Sequence, residues 1–113
     1  MSDLQIRAQE KGNIAVFKIQ GKLDAKTAPQ LNEALKSRLA SGKVKIVCDM
    51  SGVNYIASAG VGTLKANLVS AKKASGDLRL AGVTSEVKDV LDVLGFSALF
   101  TITSDVQSAL KGL

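Results

Sequence analysis

The run Lys43-Val44-Lys45-Ile46-Val47-Cys48-Asp49-Met50 constrains this chain more than any other stretch. Val44, Ile46, Cys48 and Met50 alternate onto one face and Val47 falls on the other. Near-continuous apolarity with β-branched residues is the mark of a parallel strand covered on both sides. Parallel neighbours are joined by crossover connections, usually helical, so helices have to flank this strand. Ser51-Gly52 reads as its break.

The flanking segments supply what such a strand needs. Leu4, Ile6 and Ala8 alternate with Gln5, Arg7 and Gln9, which predicts a half-buried strand. Glu10-Lys11-Gly12-Asn13 is a turn signal, and Asn13 to Ile19 follows as a second strand, giving an N-terminal hairpin. Gly21-Lys22-Leu23-Asp24 leaves that strand. Thr27-Ala28-Pro29 opens a helix, with Thr27 as cap and Pro29 in the first turn, where its missing N–H costs little. Leu31, Ala34, Leu35 and Leu39 form its apolar stripe, and Gly42 stops it.

After the central strand comes a helix from near Ser58 to about Ser75-Gly76, with Val61, Leu64, Leu68 and Ala71 on one face. Asp77-Leu78-Arg79-Leu80-Ala81 is a short strand. A helix follows over Ser85 to Leu94, with Val87, Val90, Leu91 and Leu94 facing inward and Gly95 ending it. Leu99-Phe100-Thr101-Ile102 is the last strand, and Ser104 to Leu110 is a closing helix capped by Ser or Asp. The order β-β-α-β-α-β-α-β-α predicts an α/β fold with a mostly parallel central sheet, an N-terminal antiparallel hairpin and about four helices. A single domain is expected over residues 1–113.

Composition narrows the function. Of the 113 residues, 46% are hydrophobic and 22% charged, a globular balance. No apolar run approaches the roughly 20 residues that span a bilayer. The N-terminal Met1-Ser2-Asp3-Leu4-Gln5 shows no leader pattern, so a cytoplasmic protein without a membrane partner is expected. Histidine is absent, which removes Ser–His and Cys–His catalysis and the commonest zinc ligand. Neither an enzymatic activity, a metal nor a cofactor is expected. Cys48 is the single cysteine, so no internal disulfide is possible; in a strand it reads as a small buried hydrophobe. The net charge of +5 comes from lysines scattered along the chain with one doublet, Lys72-Lys73. With one tyrosine and no tryptophan to stack on bases, that scatter excludes a nucleic-acid surface and fits solubility or steering toward an acidic protein.

The stretch carrying chemistry is Tyr55-Ile56-Ala57-Ser58-Ala59-Gly60-Val61-Gly62. Ser58 is the hydroxyl at its apex, left uncovered by Ala57, Ala59 and Gly60. Gly60 and Gly62 let another backbone approach. Two readings of Ser58 stand side by side, an N-cap of the following helix and a phosphorylation site. Gly60-Val61-Gly62 lacks the third glycine of a dinucleotide fingerprint, and no P-loop is present. Asp24 and Asp49 each follow strand-like runs; sites in parallel sheets gather at the strands' carboxyl ends, which brings Asp24 toward Ser58.

Gly21-Lys22-Leu23-Asp24, the strand ending Asp49-Met50-Ser51-Gly52-Val53, and Tyr55 to Leu64 resemble the anti-sigma factor antagonist branch of STAS domains, over nearly the whole chain. The resemblance implies phosphorylation of Ser58 by an anti-sigma factor that is itself a serine kinase. In that scheme the unmodified antagonist holds the anti-sigma factor and frees the sigma factor, the phosphorylated form lets go, and a serine phosphatase resets it. It also implies a partner-binding surface of Asp24, Tyr55, Ala57, Ser58, Ala59, Gly60 and Val61. The family usually has Asp-Ser-Ser/Thr-Gly-Leu-Gly where this chain has Ala57-Ser58-Ala59-Gly60-Val61-Gly62, so the preceding acid and the second hydroxyl are replaced by alanines. The alternative is a STAS adaptor subunit, not phosphorylated, in a larger regulatory or transporter complex.

Overall fold

A computed structural model describes residues 3–113; Met1 and Ser2, on which the reading of no leader partly rests, lie outside the described residues. Five strands, β1 (Leu4–Lys11), β2 (Ile14–Leu23), β3 (Lys45–Ile56), β4 (Asp77–Ala81) and β5 (Ile102–Thr103), form one sheet in sequence order. β1 pairs antiparallel with β2 and the remaining neighbours pair parallel, so the expected α/β architecture is the observed one.

The helices α1 (Ala28–Ala40), α2 (Ser58–Lys73) and α3 (Ser85–Val93) cover one face of the sheet, and α4 (Val106–Leu110) sits on the other. The two-period of β3 decides which side chain goes where. Ile46, Cys48 and Met50 point into the larger core with Leu31 and Leu35 of α1, Leu64 of α2 and Leu91 of α3. Val47 points the other way, into a smaller cluster with Val16, Ala81 and Ala109. Cys48 is fully buried, and desolvation pushes its thiol up from 9.0 to about 12, so it packs as a hydrophobe.

Several boundaries differ from the sequence reading. Ser51-Gly52 does not break β3, which continues to Ile56. Gln20 pairs with Gly52 and Gly21 with Val53, and the irregular register on either side absorbs the extra residues. Gly52 lies close under β2: a Cβ there would fall 2.7 Å from Gln20 Cγ. Glycine at this point is a packing device within a strand, not a turn. By the same pairing, β2 runs on through Gly21 and Lys22 to Leu23. Asp49 lies inside β3 as the strand reading of Lys43 to Met50 has it, and its Oδ1 accepts hydrogen bonds from the Ser51 N–H at 3.1 Å and hydroxyl at 2.8 Å.

The last strand is displaced. Leu99 donates its N–H to the Phe96 carbonyl in a turn and is 47% exposed, while Phe100 plugs the core. Only Ile102–Thr103 is strand, aligned by Leu80 N–H to Thr101 O (3.0 Å) and Gly82 N–H to Thr103 O (2.9 Å). Leu94, expected to face inward, follows the last helical residue of α3 and is exposed. The closing helix begins later than expected, with Asp105 as its cap, accepting from the Ser108 N–H at 2.8 Å.

Candidate functional site

The ends of β2 and β3 and the start of α2 converge on one backbone bond. Leu23 pairs with Ile56 at the end of the β2–β3 ladder, and the next residue, Ala57, donates its N–H to the Leu23 carbonyl at 2.9 Å. The chain leaving β2 at Asp24 and the chain entering α2 at Ser58 are thereby held side by side. This is the carboxyl end of the parallel strands, where open sheets place their sites.

Ser58 is exposed and is the first residue of α2. The sequence reading of it as the cap is corrected by one position: the N-cap is Ala57, whose methyl makes no capping bond. The Ala57 carbonyl accepts from Gly60 N–H at 2.9 Å and Val61 N–H at 3.2 Å, starting the helix without side-chain help. The first turn holds no acidic residue, so no carboxylate of its own offsets the positive end of the helix dipole at Ser58. That hydroxyl has no hydrogen-bond partner among the described residues.

Asp24 is half-buried and works on its own loop. Its Oδ1 accepts from the N–H of Lys26 at 3.0 Å and of Thr27 at 3.1 Å. The hydrogen bond from the Thr27 backbone, with that of Lys26, holds the carboxyl below its usual 3.8. Thr27 occupies the N-cap position of α1 as expected but makes no capping bond. Its hydroxyl instead donates to the Lys22 carbonyl at 2.8 Å and accepts from the Asp24 N–H at 2.9 Å. Thr27 thus braces the loop from below, a role the sequence reading missed; the Asp-x-x-Thr spacing from Asp24 to Thr27 is its signal.

The remaining residues of the expected surface divide in two. Tyr55 is 51% exposed, Ala59 is exposed and Ala57 half-buried, so these residues, within three positions of Ser58 in sequence, reach the surface with it. Gly60 and Val61 are buried and line the junction from inside. A Cβ on Gly60 would stand 2.6 Å from Leu23 Cγ and 2.9 Å from the Leu23 carbonyl oxygen, so α2 approaches β2 only because residue 60 lacks one. Gly62 has no such neighbour; a Cβ there meets nothing within 4 Å, and the expected close approach is absent. The arrangement offers an accessible alcohol at a helix N-terminus with an exposed phenol nearby, and the turn beside it is rigidly tied.

The chain matches the STAS domain family over residues 5–109. It is 25% identical over 109 residues to the anti-sigma-B factor antagonist of Listeria monocytogenes, covering 96% of this chain and 94% of the relative. Its fold superposes on an anti-sigma factor antagonist from Mycobacterium paratuberculosis with a TM-score of 0.86 at 21% identity, covering 95% and 91% of the two chains. It also superposes on the Bacillus cell fate determinant SpoIIAA in the phosphorylated form, with a TM-score of 0.75 at 15% identity and coverage of 94% and 96%. At those identities the two structures establish the fold.

Proposed function

The chain belongs to the STAS domain family, and from that premise we propose that it is an anti-sigma factor antagonist whose docking is gated by phosphorylation of Ser58. One observation carries the reading: the Ser58 hydroxyl is exposed, unbonded and placed at the first position of α2. A kinase reaches it without local unfolding. A phosphate added there meets the free N–H groups and positive dipole end of α2, so the fold tolerates the product.

The switch then follows from electrostatics. Phosphorylation adds about −1.5 to −2 charges at pH 7. Where the surface of Tyr55, Ala57, Ser58 and Ala59 is buried under a partner, stranding that charge costs several kcal/mol. A loss of about 2.8 kcal/mol lowers affinity a hundredfold, so one modification suffices. Asp24 and Thr27 keep the neighbouring turn in place, and Gly60 and Val61 set the height of α2 against it. Neither has to touch the partner. The partner in this reading is an anti-sigma factor with serine kinase activity, a serine phosphatase restores the hydroxyl, and residues 1–113 act as one domain in the cytoplasm.

Incubation with ATP and the anti-sigma factor, followed by intact-mass measurement, tests the proposal. A gain of about 80 Da, one phosphate, that maps to Ser58 and vanishes in Ser58→Ala is expected. No gain would favour the adaptor reading, which Ala57 in place of an acid suits.

A further inference from the structure

Lysines and arginines that look dispersed along the chain are gathered by the pairing of β1 with β2. In β1 the two-period puts Arg7 and Lys11 on the sheet face away from α1, α2 and α3, and Lys18 of β2 shares that face. Arg7 and Lys18 are direct cross-strand partners. Like charges directly opposed on an antiparallel pair destabilise it, yet none of Arg7, Lys11 and Lys18 has an ion-pair partner among the described residues. The contrast with the helix-covered face is direct, since Arg38 and Lys43 there both pair with Glu10.

The carboxylate nearest in register is Asp49, aligned with Lys18 on β3. Its Oδ1 is engaged by the Ser51 N–H and hydroxyl, and it makes no ion pair with Lys18. Nor does α4 cover the cations. Its five residues lie over β3, β4 and β5, leaving a cleft of about 400 Å³ between Val106 and the β1–β2 half of the sheet. The floor is Val16, and the walls are Arg7, Lys11, Lys18, Gln9 and Gln107 with the single carboxylate of Asp49, so three cations face one acid.

We propose that this face is a second docking surface, for an acidic segment of a polypeptide. Charge complementarity selects the sign. The shape selects a chain, because the cations run along strands and an extended segment lies across them. No aromatic side chain lines the cleft to stack bases, which disfavours single-stranded nucleic acid, and no exposed apolar side chain lines it to enter a bilayer. The face lies across the sheet from α2, and the inference does not rest on the proposed switch.

The test is titration of the isotope-labelled full chain with an oligo-glutamate peptide of about ten residues, long enough to follow β1 at about 3.3 Å per residue. Saturable amide shifts at Arg7, Gln9, Lys11, Lys18 and Gln107 are expected. The double variant Arg7→Glu/Lys18→Glu should lower affinity at least tenfold while keeping the wild-type melting temperature, and Lys72→Glu/Lys73→Glu on α2 should leave it unchanged. If the double variant does not fold, Lys18→Gln alone should lower affinity by a smaller factor. Shifts spread over all lysines, equal loss in the α2 variant, or stronger binding to oligo-dT or to anionic phosphatidylserine vesicles would overturn the proposal.

Discussion

The N–H of Ala57 donates to the carbonyl of Leu23 at 2.9 Å, and this bond makes one site from two distant pieces of sequence. It extends the β2–β3 ladder by one step beyond the Leu23–Ile56 pair, just where β3 gives way to α2. The turn at Asp24 and the serine at the start of α2 are consequently fixed to one rigid edge.

The two glycines of α2 should respond oppositely to the same change. Gly60→Ala drives a methyl into Leu23, so a loss of about 1–3 kcal/mol is expected, together with displacement of the start of α2. Gly62→Ala meets no atom and replaces a helix-interior glycine, so a gain of about 0.5–1 kcal/mol is expected. Urea unfolding of both variants measures the difference; equal effects would contradict the packing described for Gly60.

Asn67 is buried at 1% exposure, and its Nδ2 donates to Asn32 Oδ1 at 3.0 Å and to the Thr63 carbonyl at 2.9 Å. It is a polar tie between α1 and α2. Asn67→Ala removes the donor and leaves a cavity, and a cost of about 1–3 kcal/mol follows from the lost bonds. Denaturant midpoints read the loss. A neutral result would mean that the two helices are held by their apolar contacts alone.

The pH dependence should carry the mark of the Asp24 turn. The Thr27 and Lys26 N–H groups lower its carboxyl below the usual value, so the unfolded chain takes up a proton at higher pH than the folded one. The sign is therefore fixed: the increment is present above the unfolded pKa and is lost as pH falls through the lowered folded value. Asp24→Asn should be less stable than the parent at neutral pH, and the gap should narrow below about pH 4. Asp92 and Asp105 shift in the same direction and remain in both proteins, so the difference between the two curves isolates Asp24.

Element type and order were legible in the chain because apolar periodicity reports them directly, and the two faces of β3 followed from Ile46, Val47 and Cys48 alone. Boundaries depended on partners. Ser51-Gly52 has turn chemistry, but pairing with Gln20 and Gly21 outweighs it. Leu99 has strand chemistry, but the Phe96 turn claims it because Phe100 reaches the core. At the site, the exposure of Ser58 followed from its small neighbours, whereas its shift from cap to first helical residue came from Ala57 O taking up the Gly60 and Val61 amides. The cationic face was invisible, since only the register opposes Arg7 to Lys18.

The most direct measurement is the affinity of the Ser58→Asp variant for the anti-sigma factor, set beside the parent and Ser58→Ala. The account predicts a loss of about a hundredfold or more, equivalent to about 2.8 kcal/mol, with the melting temperature unchanged and Ser58→Ala binding like the parent. Equal affinity of all three proteins would contradict it.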